Sequence, residues 1–138
     1  MSYNHGDRIT RVDLVTESAA QTAVNRYEDA IDNLSNSTVE RVSDALAFRI
    51  FGLAGLLGNV IINFVEQNRI ENDFTAQKAV YEDVLSHYGN GNIGVEVSQQ
   101  LEYFDTYYGG FQEKGWLPVG TPFITGIQLP DGTWIQAS

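Results

Sequence analysis

Residues 45–65, ALAFRIFGLAGLLGNVIINFV, are apolar apart from one arginine and two asparagines, and carry Gly52, Gly55 and Gly58 at every third position. As an α-helix this stretch would span roughly 31 Å, close to the hydrocarbon thickness of a bilayer. Placed at about 100° per residue, its side chains sort onto two faces. Arg49, Gly52, Gly55, Leu56, Asn59 and Asn63 form a narrow small-and-polar stripe, which Arg41, Ala45 and Glu66 extend. Large aliphatic and phenylalanine side chains cover the rest of the circumference. Three interior glycines cost roughly 3 kcal/mol relative to alanine, so something must compensate for them.

Three readings of this segment stay open. It is a buried core helix crossed closely by a neighbour, with Arg49 and the asparagines paired to acids such as Glu28 or Asp32. Or it is a membrane segment, where small residues let helices approach and asparagines bond between them. Its Leu, Ile, Phe and Val residues would contribute roughly −5 kcal/mol to insertion, against up to about +3 from Arg49. Or it is an exposed seam for self-association in water. The stripe Arg49, Gly52, Gly55, Asn59 and Asn63 is the expected contact in each case, and a lone helix in lipid fits it least.

Around this segment the apolar spacing predicts further helices. Val12, Val15, Ala19, Ala23, Val24, Tyr27, Ile31 and Leu34 recur at three- and four-residue intervals, with Thr10 and Asp13 as a capping box. Ser37 and Glu40 form a second such box, opening a helix that runs into the glycine segment. Phe74, Gln77, Lys78, Tyr81, Val84, Leu85 and Tyr88 give another, with Gly89 as its C′ residue. A short helix is expected over 99–108, with Leu101, Phe104 and Tyr108 on one side. Pro130-Asp131-Gly132, between two β-prone runs, signals a hairpin at about 123–136.

The predicted fold class is therefore mainly α: three to four amphipathic helices with a small C-terminal β-hairpin, arranged as a helical bundle or hairpin. Residues 1–88 read as a helical body, and 89–138 as a turn-rich aromatic segment. Within the latter, Tyr103, Tyr107, Tyr108, Phe111 and Trp116 are candidates for an adhesive surface, set against a small-core reading.

Charge and composition restrict the chemistry. The chain holds 8 basic and 18 acidic residues, for a net charge of −10. Its only lysines are Lys78 and Lys114, which argues against direct nucleic-acid binding. With no cysteine and two distant histidines, His5 and His87, neither a thiol nucleophile nor a zinc site is expected. No phosphate loop or nucleophile elbow occurs, and no carboxylate pair stands out from the solvated acids. No catalytic, metal or cofactor residue is predicted, and the chain is expected not to be an enzyme. Its first residues lack the layout of a secretory signal, so synthesis in the cytoplasm without a signal peptide is expected.

Three function classes follow. The first is a non-enzymatic assembly protein whose partners are further copies of itself, other proteins of an assembly and, in one version, a membrane. The second is a small acidic inhibitor or immunity-type protein covering a basic partner. The third is an enzyme whose carboxylate pair the sequence does not flag. Over residues 12–88 the layout resembles the small internal or ejection proteins of short-tailed phages. The likeness lies in an acidic, cysteine-free chain with amphipathic helices around a marginal apolar segment. It implies a virion component, found in the virion or the host envelope after assembly, and transfers no residue roles.

Overall fold

Ile9, Arg11 and Asp13 alternate with Thr10, Val12 and Leu14, and this two-residue period makes Arg8–Leu14 a strand, β1. The computed structural model describes residues 4–35, 40–42, 60–62, 64–108 and 111–137. After β1 come helix α1 (Glu17–Ser35), the short strands β2 (Glu40–Val42) and β3 (Val60–Ile62), and helix α2 (Phe64–Gly89). Strands β4 (Gly94–Tyr108), β5 (Phe111–Gln128) and β6 (Trp134–Gln136) complete the chain. Strands β1, β4, β5 and β6 form one antiparallel sheet in the order β1-β4-β5-β6, curled into a half-barrel, while β2 pairs antiparallel with β3.

The protein is thus mixed α/β, and the mainly α, helical reading is overturned at three places. The first helix starts at Glu17 instead of near Val12. Its cap is Thr16, whose Oγ1 accepts the Ala19 N–H at 3.1 Å while its carbonyl accepts from Ala20. Val12 keeps helical spacing with Val15, but the β-branched alternation of β1 prevails because β4 supplies a ladder for it. Residues 99–108, expected as a helix, lie in β4, with Val95, Val97, Gln99 and Leu101 all buried at a period of two. Residues 40–42 and 60–62, expected as helix, are paired strands rich in valine and isoleucine.

Residues 43–59 and 63 lie outside the described part, and with them Arg49, Gly52, Gly55, Asn59 and Asn63. Among the described residues no helix is long and apolar enough to cross a membrane. The membrane-associated and virion readings gain no support from the fold.

The core lies between the two helices and the sheet. Ala20, Ala23, Val24, Tyr27 and Ala30 of α1 meet Phe74, Tyr81 and Val84 of α2, above Val95, Val97, Leu101 and Trp116. Tyr27 is central: its ring stacks on Tyr81 at 5.8 Å and meets Phe74 edge-on at 5.6 Å. Helix α2 ends past the predicted cap. Gly89 is its last residue, and the left-handed glycine is Gly91 (φ +97°), whose N–H bonds the Tyr88 carbonyl.

Candidate interaction surface

Polarity in β1 is inverted. Arg11 and Asp13 point with Ile9 toward the helices, whereas Val12 and Leu14 point to solvent and are 53% and 61% exposed. The strand register carries this apolar row across the outer face. Val12 stands opposite Ser98, which stands opposite Phe123, and Phe123 is 67% exposed. In the adjacent row Leu14 faces Glu96, which faces Gly126. Beyond lies Trp134, whose indole covers the two glycines of this region. A Cβ on Gly94 would sit 3.1 Å from its Cη2, and one on Gly126 would sit 3.4 Å from its Cε3. Val12, Leu14, Phe123 and Trp134 thus share one face of the sheet.

The outward aim of Phe123 depends on irregularities in β5. Register shifts fall between Glu96 and Val97 and between Ser98 and Gln100. At the second, residues 120–122 stand opposite Gln99 alone, and Gly120 takes φ +68°, a conformation suited to glycine. Two buried glutamines hold this bulge. The Gln99 amide donates to the Val119 and Gln100 carbonyls at 3.0 and 2.8 Å, and the Gln77 amide of α2 donates to the Gly120 carbonyl at 3.0 Å. On the outer side Thr10, Ser98, Gln100, Thr121 and Phe123 rim a hollow of about 320 Å³.

Two other places bring polar side chains together. Under the sheet, Asp13, Gln77, Gln99, Tyr27 and Tyr81 bring polar groups into the core. Asp13 Oδ2 and the Oε1 atoms of Gln77 and Gln99 are buried and have no hydrogen-bond partner among the described residues. Burial pushes the Tyr27 phenol well above its ordinary value, with Tyr81 adding to the effect. Burial, and next the Asp13 charge, does the same to Tyr81. Both phenols therefore move away from the range useful for proton transfer near neutrality.

The second place is a groove of about 750 Å³ between α2 and the inner side of β5–β6. Val80, Ile124, Ile127 and Ile135 line it, with Asp83 and His87 at its side. His87 Nε2 and Asp83 Oδ2 are 3.9 Å apart, too far for a hydrogen bond. Among the described residues no three His, Asp or Glu side chains gather to hold a metal.

The aromatic candidates divide. Trp116 is buried, so it belongs to the core and not to an adhesive surface, and Tyr103 packs on it edge-on at 5.2 Å. Tyr107 and Tyr108 close β4 and Phe111 opens β5, with Tyr108 paired to Phe111. Among the described side chains, Val12, Leu14, Phe123 and Trp134 are the exposed apolar ones of this sheet face. Their signal was the alternation in β1, which sets Arg11 and Asp13 on one face and Val12 and Leu14 on the other. No protein family, curated protein or solved structure matches this chain.

Proposed function

We propose that this protein is a non-enzymatic, self-associating structural protein whose copies meet at the β1 side of the outer sheet face. The inverted polarity of β1 carries the reading. An edge strand that turns Arg11 and Asp13 inward and its valine and leucine outward exposes apolar area that a neighbour beside it would partly cover. Each such side chain contributes about 1.5–3 kcal/mol when fully buried.

Charge distribution favours a second copy as that neighbour. Exposed acids crowd the helices: Glu17, Glu28, Asp29 and Asp32 on α1, and Glu82 and Asp83 on α2. The apolar patch contains one acid, Glu96, whose Oε1 accepts the Thr125 hydroxyl at 2.8 Å. A basic partner would find its counter-charges on the helices, away from the patch. Another copy brings its own Val12 and Leu14 beside these, with little repulsion between them.

Sedimentation of Leu14→Glu tests the reading. The expected result is a monomer with a native circular-dichroism spectrum, from a wild type that sediments as an oligomer. A variant that associates as tightly as the wild type, or a monomeric wild type, would contradict it.

A further inference from the structure

The free edge of β1 has a definite hydrogen-bonding pattern. Val15 N–H bonds the Val95 carbonyl at 2.9 Å, and Tyr103 N–H bonds the Asp7 carbonyl at 2.8 Å. In an antiparallel ladder the paired groups alternate, so the odd residues of β1 face β4. The N–H and C=O groups of Arg8, Thr10, Val12 and Leu14 therefore point away from it. Among the described residues no strand lies on that side.

The side chains of β1 are self-complementary about Val12. Laid antiparallel on a second β1 with Val12 opposite Val12, Thr10 faces Leu14 and Arg11 faces Asp13, twice over by symmetry. The three pairs of even residues would be the hydrogen-bonded ones. Arg11 and Asp13 would fall at the close, non-hydrogen-bonded positions, where side chains approach best. Within one chain Arg11 reaches Asp13 at a long 3.5 Å, with both side chains partly exposed at 38% and 24%.

We infer that two copies join through β1, edge to edge about Val12, into one continuous eight-stranded sheet. This rests on the self-association proposed above and specifies its geometry. Inward-pointing charges on an edge strand ordinarily discourage pairing. Here they select the register. Shifting the centre to residue 11 sets arginine against arginine, and shifting it to residue 13 sets aspartate against aspartate. The pairing is isologous and uses up the β1 edge of both copies. The product closes as a dimer instead of growing into a fibre. Across the two-fold axis Val12 and Leu14 of both copies form one apolar strip.

Charge reversal tests this directly. Arg11→Asp gives a strand with two carboxylates, and Asp13→Arg gives one with two guanidiniums. Each alone should dimerise about tenfold or more less tightly than wild type, and an equimolar mixture should restore dimers containing one of each. Phe123→Glu, two strands from the edge, should leave the dimer intact, whereas face-to-face stacking would lose it. If Asp13→Arg disturbs the fold beside Tyr81, Val12→Pro serves in its place. It removes an N–H at the two-fold axis from an edge that tolerates proline, and should be monomeric with a native spectrum. Single variants that dimerise normally, a mixture that does not pair, or a dimeric Val12→Pro would overturn the edge geometry. Self-association itself would then still stand on Leu14→Glu. A monomeric wild type would overturn both.

Discussion

Among the described glycines Gly94 is the most tightly enclosed. A Cβ there would lie 2.8 Å from Gln128 Oε1 and 3.1 Å from the Trp134 ring. Gly94→Ala should therefore destabilise the fold by about 1–3 kcal/mol in chemical denaturation, as overpacking does. At Gly126 the nearest contact is an ordinary 3.4 Å, and Gly126→Ala should cost clearly less. The buried phenols make a second residue-level prediction. Tyr27 and Tyr81 are held protonated in the native state, while an unfolded chain begins to release such protons near pH 10. The unfolded state then binds fewer protons, so stability is unaffected below about pH 10 and falls as pH rises past it. The slope is about 1.4 kcal/mol per pH unit for each phenol. Absorbance should show at least two of the seven tyrosines, Tyr27 and Tyr81, ionising only as the helical signal disappears. All seven titrating together with the fold intact would contradict the buried pair.

At the scale of elements, the cap of α1 is the plainest test. Thr16→Ala removes the hydroxyl that accepts from Ala19 and should cost about 1 kcal/mol in thermal unfolding. Placement of that cap also shows what the sequence revealed. The apolar faces of α1 from Ala19 onward and of α2 from Phe74 to Tyr88 were legible, because helical periodicity there has no competitor. The Pro130-Asp131-Gly132 turn between β5 and β6 was legible from its turn chemistry, and the Leu129 N–H bonds the Thr133 carbonyl across it at 2.8 Å. Strand β1 was obscured because Val12 and Val15 happen to continue the spacing of α1. Strand β4 was obscured because Leu101, Phe104 and Tyr108 mimic a helical stripe. Each strand is decided by a partner distant in sequence, Arg8 against Glu102 for instance, and local spacing carries no trace of such pairing. The exposed face was missed for the same reason. Val12 and Phe123 become neighbours only through Ser98, and Trp134 joins them only through two glycines.

For the whole molecule, the separation of surfaces matters more than any single side chain. Acids face solvent from the helices, a polar network holds the bulge in the interior, and one sheet face carries apolar residues beside an edge that no strand pairs among the described residues. Acids on the helices would repel the same helices of another copy, which leaves the sheet face as the proposed place of contact. The account depends on the chain meeting its own copy there, so the decisive quantity is the mass of the wild-type protein in solution. Light scattering across a concentration series should give twice the monomer mass of 15.3 kDa, falling toward one monomer on dilution. A mass that stays at one monomer up to the limit of solubility would contradict it.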